Sequence, residues 1–138
     1  MTRPGEITTF HDQVGYLLWE PAAKQIYLTL SIPRGQTLLA HGTAGEHSDE
    51  WTLQAVEGGA VTGILSNPFL EQHFRTTAFS LKVVFNDDGT FSYNETTVMR
   101  VTGVEQDFLH TDSNTLKLVK GPAALNPAAI EAGKWANR

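Results

Sequence analysis

Apolar and polar residues alternate along most of this chain, which predicts β-strands that each have one buried face. In residues 25–32, for example, Ile26, Leu28 and Leu30 fall on one face, while Tyr27 lies on the other. Similar runs recur at short intervals, separated by polar segments or by segments that contain Gly and Pro. Strands are therefore predicted at residues 11–19, 25–32, 36–43, 50–56, 63–65, 75–85, 90–101 and 108–119.

Turn signals lie between several of these strands. The Pro-Arg-Gly sequence at residues 33–35 suits a tight turn, with Pro at its second position and Gly at its fourth. The pair Asp88-Gly89 lies between two apolar runs and is the strongest hairpin signal in the chain. A polar loop at residues 44–49 separates two further strands. Short strands joined by such turns favour an antiparallel sheet.

Helical signals are few and short. Asn67 followed by Pro68 predicts an N-cap and a first helical residue, opening a helical turn that ends near His73. A second short helix is predicted at residues 126–134. Neither is long enough to cross over between parallel strands. The sequence therefore predicts an all-β fold, an antiparallel lipocalin-like β-barrel.

Composition indicates one globular domain over residues 1–138, with a core at 10–120 and a tail at 121–138. The 138 residues are 41% hydrophobic and 18% charged. With 10 basic and 15 acidic residues the net charge is -5, which disfavours nucleic acid and anionic membranes as partners. Cysteine is absent, which excludes disulfides and thiolate sites. Residues 1–5 lack the apolar core of a signal peptide, so a cytoplasmic location is expected.

Several segments, in this order and spacing, resemble the bacterial branch of the nitrobindin-like family, also described as fatty-acid-binding-protein-like or lipocalin-like barrels. The resemblance covers roughly residues 10–119. The segments are Phe-His-Asp-Gln-Val-Gly-Tyr at residues 10–16 with Trp19 close behind, Ile-Pro-Arg-Gly at 32–35, Asn-Pro-Phe at 67–69, Tyr-Asn-Glu-Thr-Thr at 93–97, and His-Thr-Asp-Ser-Asn-Thr-Leu at 110–116.

The resemblance implies a heme-binding barrel, and nitrobindins convert peroxynitrite at that heme. A histidine on the family's last strands binds the iron. His110 is the nearest candidate here, but its register from Leu116 does not place it securely at the ligand position. The family's barrel opens with strands that precede the segment matching Phe10, so the barrel of this chain is expected to be incomplete.

Three predicted strands, at residues 75–85, 90–101 and 108–119, carry polar residues with the same parity as their apolar ones. If these faces line a barrel and no β-bulge intervenes, the polar groups point inward. The candidate ligand-binding residues on these faces are Arg75, Phe79, Tyr93, Glu95, His110 and Asp112.

Two interpretations fit this pattern. In the first, the polar groups form a buried network in which Arg75 pairs with Glu95 or Asp112, because an unpaired buried charge is costly. In the second, they anchor a small molecule in an apolar pocket, and Arg75 binds a ligand carboxylate. A weaker candidate is a metal site formed by His41, Glu46 and His47, for which a solvated loop is the simpler explanation.

Three functions are compatible with the sequence. The first is binding of an apolar or amphipathic molecule, fatty-acid-like or heme, in the barrel. The second, implied by the resemblance, is a heme-dependent peroxynitrite isomerase. The third is a filled barrel that acts only through partner proteins. An incomplete barrel also predicts a homodimer, because it would leave strand edges and residues such as Phe79, Leu81 and Tyr93 exposed. The alternative cover is residues 1–9 together with the tail.

Overall fold

The computed structural model describes residues 12–119, which form one antiparallel sheet and one short helix. The elements are β1 (Val14–Glu20), β2 (Gln25–Ile32), β3 (Gln36–Thr43), β4 (Glu50–Val56), β5 (Gly63–Ser66), α1 (Pro68–His73), β6 (Phe74–Phe85), β7 (Phe91–Val101) and β8 (Phe108–Leu116). The predicted all-β antiparallel fold is confirmed. The helix predicted at residues 126–134 lies outside the described residues.

The strands follow the order β1-β2-β3-β4-β6-β7-β8, with β5 paired to β3 beside this path. β4 and β5 share one side of β3: His41 pairs with Gln54 of β4, and Gln36 to Leu39 pair with β5. The described register contains no pairing between β1 and β8, so these strands are the two edges of an open sheet. An open sheet of this kind is consistent with the predicted incomplete barrel.

The core lies on the concave face of the curled sheet and is almost entirely apolar. Ile26, Leu53 and Val83 are its largest fully buried side chains. It also contains Phe79 (3% exposed), Leu81 (8%) and Tyr93 (9%). The expectation that an open barrel leaves these last residues exposed is therefore wrong, because the sheet curls enough to cover them.

Local signals in the sequence place α1 and the hairpin between β6 and β7. The Asn67 side chain accepts a hydrogen bond from the Leu70 backbone N–H at 2.9 Å, and Pro68 begins the helix. In the hairpin, Gly89 has φ +82°, a conformation that glycine adopts without steric cost. The N-cap and the hairpin are both as predicted. Within residues 12–119, no helix is long and apolar enough to span a membrane.

An irregularity in β6 changes which of its residues face the core. Thr76 pairs with Met99 and Ala78 pairs with Val98, so the register of β6 and β7 skips Thr77 as an extra residue. Such a β-bulge reverses the alternation of the strand. As a result Thr76 and Phe79, three positions apart, are both buried.

Candidate functional site

A cavity of about 260 Å³ lies on the concave face of the sheet; we call it the barrel cavity. Its apolar wall includes Leu28 and Leu30 of β2 and Leu81 and Val83 of β6. Both edges of the open sheet also reach it, through residues such as Leu17 of β1 and Leu116 of β8. The alternation that makes these strands amphipathic therefore also lines the cavity.

The polar end of this cavity includes Tyr93, whose hydrogen-bond partner Asp112 is not itself a lining residue. Tyr93 donates its phenolic O–H to Asp112 Oδ2 over 2.6 Å, between adjacent strands. Burial, together with this hydrogen bond, raises the pKa of the Tyr93 phenol well above its usual range. The phenol is therefore neutral at physiological pH and serves as a hydrogen-bond donor to the carboxylate.

Glu95 lies beside this pair and also lines the barrel cavity. It is directly opposite Asp112 in the register of β7 and β8. Directly opposite side chains of an antiparallel pair lie close together on one face, so two carboxyl groups meet here. The polar end of the cavity is therefore acidic.

The inward orientation predicted for Arg75 is wrong. Arg75 precedes the bulge at Thr77, which reverses its parity relative to Phe79, and its side chain is 47% exposed. Its Nε donates to Glu57 Oε1 at 2.8 Å and to Oε2 at 2.9 Å. The predicted network with Glu95 or Asp112 does not form, because Arg75 pairs with Glu57 outside the core.

Of the other predicted site residues, Phe79 is buried in the core and His110 is exposed. His110 is opposite Thr97, so the register gives it the same parity on β8 as Asp112. It lines neither described cavity. The structure thus brings Tyr93, Glu95 and Asp112 together but not Arg75 or His110.

Sequence reasoning did not assign the part of the wall that comes from β1 and β2. Gln13, Gly15 and Leu17 line the cavity, as do Leu28 and Leu30. The signal was present, since the alternation in residues 25–32 places these leucines on one face. The position of β1 beside the cavity, however, depends on the curl of the whole sheet.

The weaker metal candidate does not assemble. His41 lies on the outer face of β3 and contacts the Tyr27 ring, with centroids 6.1 Å apart. Within the described part of the chain, no three or more His, Asp and Glu side chains are grouped so that they could hold a metal ion.

The fold and its interior cavity define a ligand-binding β-barrel domain. The chain belongs to the THAP4-like, heme-binding β-barrel domain family, whose model matches residues 1–117. This confirms the nitrobindin-like resemblance. Searches of curated proteins and of solved structures found no match to the chain.

The family description raises the question of whether the barrel cavity fits a heme. Heme iron is held in proteins by His, Cys, Met or Tyr side chains. Among residues 12–119, no histidine lines the barrel cavity, and the sequence has no cysteine. Tyr93 does line it, but its raised pKa disfavours the phenolate that would bind iron. The described residues therefore do not complete a heme site in the barrel cavity.

Proposed function

We propose that this domain binds a small apolar or amphipathic molecule in the barrel cavity. The observation that supports the proposal is an apolar cavity of about 260 Å³ that ends in a compact polar group. Small-molecule sites commonly have such a lining, with a few polar groups that orient the ligand. This volume is just under the range of about 300–1,000 Å³ typical of ligand pockets, which favours a small ligand.

The polar end indicates which head group the ligand carries. Glu95 supplies carboxyl oxygens there, with Asp112 directly opposite it on β8, and the cation that the sequence predicted, Arg75, faces outward instead. Carboxylates attract cations and hydrogen-bond donors and repel another carboxylate. We therefore propose a ligand with an ammonium, amine or hydroxyl head and an apolar body, rather than a fatty acid.

A pair of variants on adjacent residues tests this proposal. Leu17 lines the cavity, whereas Leu18 pairs with Tyr27 on the outer face of the sheet. Both are partly exposed, at 39% and 46%, so either position should accept a larger side chain. Leu17→Trp should fill the cavity and abolish binding of decylammonium measured by calorimetry. Leu18→Trp should bind as the wild type does.

Two calorimetric results would contradict the proposal. The first is equal binding of decylammonium by the two tryptophan variants, which would place the ligand elsewhere. The second is that Glu95→Gln leaves the affinity for decylammonium unchanged, since this substitution removes the carboxyl group that lines the cavity.

Heme is a second candidate ligand, supported by the family description. We expect weak binding, because the described iron-ligand candidate at the barrel cavity is Tyr93, whose raised pKa disfavours the phenolate. Hemin titrated into the purified protein should give a weak Soret change that His110→Ala does not alter, since His110 is exposed. Protein that purifies with near-stoichiometric heme would contradict this expectation.

We also propose that the chain forms a homodimer. Support comes from β1, an edge strand whose outer face carries Val14 (65% exposed), Tyr16 (73%) and Leu18 (46%). An apolar edge strand is prone to pair with another strand. A cytoplasmic location stays a prediction from the sequence.

A further inference from the structure

A second cavity, of about 340 Å³, opens at the side of the sheet where α1 packs; we call it the helix-side cavity. It shares no lining residue with the barrel cavity. Ile32, Leu70 and Met99 provide apolar walls from β2, α1 and β7. Phe69 and Phe74 lie at its mouth and are 60% and 46% exposed, so aromatic surface is available to a ligand.

The walls of this cavity are fixed by hydrogen bonds rather than by flexible loops. Gln36 donates through Nε2 to Thr76 Oγ1 at 2.8 Å and to Ser66 Oγ at 3.0 Å, which joins β3, β6 and β5 at its base. The Asn67 side chain donates to the Arg34 carbonyl at 2.7 Å. A preformed cavity loses little entropy when it binds a ligand.

Glycine at position 35 allows this close contact between the turn and the helix. Gly35 has φ +96°, and a Cβ there would lie 2.3 Å from the Asn67 side-chain nitrogen. The turn therefore holds its neighbour Arg34 beside the start of α1, where Arg34 lines the cavity.

The charge of this cavity is opposite to that of the barrel cavity. Arg34 is an exposed residue of the lining, and no aspartate or glutamate lines the cavity among residues 12–119. A guanidinium has five N–H donors in a planar fork that matches a carboxylate. The Arg34 side chain can therefore bind a carboxylate and keep its other contacts. We propose that the helix-side cavity binds a small amphipathic carboxylate, with its apolar body among Leu70, Phe74 and Met99 and its head on Arg34.

Met99 provides a specific reporter for this site. The sequence contains only 2 methionines, Met1 and Met99, so the ε-methyl resonance of Met99 can be assigned in ¹³C-methyl-labelled protein with Met99→Leu. Decanoate should shift the Met99 signal in a saturable manner. Decylammonium, which has the same chain and the opposite charge, should not.

Substitution of the arginine tests the head-group contact. Arg34→Gln should weaken decanoate binding by about tenfold or more, because a charge-assisted hydrogen bond is lost. Arg100→Gln is the matched control, since Arg100 is an exposed arginine that pairs with Asp107 at 3.3 Å and does not line the cavity. Circular dichroism checks that both variants fold.

Three results would overturn the proposal: no movement of the Met99 methyl at millimolar decanoate, an equal response to decylammonium, or equal decanoate affinity of Arg34→Gln and wild type. None of them bears on the barrel cavity, which is tested separately with Leu17→Trp.

Discussion

The neutral phenol of Tyr93 links the stability of the fold to the polar end of the barrel cavity. Tyr93 is 9% exposed and donates to Asp112, which accounts for the raised pKa of its phenol. Because the pKa is higher in the folded state, the contribution of this group is fully present below the unfolded value of 10.0. It is lost as the pH rises through the folded pKa.

Tyr93→Phe should therefore have two measurable effects on stability. Near pH 7 it should lower the free energy of unfolding by about 1 kcal/mol, the usual contribution of one hydrogen bond. Above pH 10.0 the variant should lose less stability than the wild type, because no buried phenol remains to be ionised. Urea unfolding at both pH values measures this. An equal alkaline loss in the two proteins would contradict the role assigned to Tyr93.

Arg75, on the outer side of β6, should have no role in either cavity. Its guanidinium, through hydrogen bonds, lowers the pKa of the Glu57 carboxyl from 4.5. Arg75→Leu should leave decylammonium binding unchanged and cause a small loss of stability. That loss should be present above pH 4.5 and disappear as the pH falls through the folded pKa of Glu57. Loss of ligand binding by a folded Arg75→Leu protein would contradict the outward position.

Arg75 also shows where prediction from the sequence fails. Parity correctly placed Tyr93, Glu95 and Asp112 on one face, because β7 and β8 pair without interruption. It failed for Arg75 because the bulge at Thr77 shifts the register by one residue. Bulges are often marked by glycine, but here the sequence around it is Thr-Thr-Ala, which carries no such signal.

At the scale of whole elements, the hairpin between β6 and β7 depends on the conformation of one residue. Gly89 has φ +82° in the turn, and Asp88 Oδ1 accepts hydrogen bonds from the backbone N–H of Thr90 at 3.0 Å and from its hydroxyl at 2.6 Å. These hydrogen bonds lower the pKa of the Asp88 carboxyl. This turn joins β6 and β7, the two longest strands of the sheet, which also supply much of the wall of the barrel cavity.

Gly89→Ala should destabilise the protein by about 1 kcal/mol or more, because alanine is strained at positive φ. No atom lies within 4 Å of the added Cβ, so the loss would come from the backbone alone. Gly45→Ala is the matched control, since its φ is not positive and its Cβ would meet only Ser48 Oγ, at 3.7 Å. Thermal unfolding should rank Gly89→Ala below Gly45→Ala. The reverse order would contradict this account of the hairpin.

The order of the elements in the sheet could be predicted only in part. Hairpins between consecutive strands, such as β1-β2 and β6-β7, follow from short turns. The pairing of β4 with β6, and of β5 with β3, skips a neighbour in the sequence. These pairings depend on how α1 and β5 pack at the side of the sheet, which local alternation does not encode. The helix-side cavity lies where α1 packs at the side of the sheet, so the sequence pattern did not predict it.

Two of the cavities in the described part of the molecule, residues 12–119, are lined by side chains of opposite charge. The barrel cavity contains the carboxyl group of Glu95 close to Asp112, and the helix-side cavity contains the guanidinium of Arg34. In calorimetry, Leu17→Trp should therefore abolish the binding of decylammonium and leave the binding of decanoate unchanged. Arg34→Gln should weaken the binding of decanoate and leave the binding of decylammonium unchanged. This independence follows from the absence of any shared lining residue.

The open sheet also determines how the whole molecule should behave in solution. Among residues 12–119, β1 and β8 are its edges, and β1 exposes Tyr16 (73%). Two copies related by a two-fold axis would cover this strand with the same surface. We therefore expect light scattering to give twice the chain mass of 15.1 kDa at micromolar concentration.

Substitutions at the two edges should separate their roles in this dimer. Tyr16→Lys puts a charge on the β1 edge, a device that natural proteins use against edge pairing, and should give monomers. Thr111→Lys places the same charge on the exposed face of β8 and should leave the dimer intact. A wild-type mass of 15.1 kDa would contradict the dimer, and the chain itself would then have to cover β1. A dimer lost only with Thr111→Lys would instead show that the interface is formed by β8, the strand whose Leu116 lines the barrel cavity.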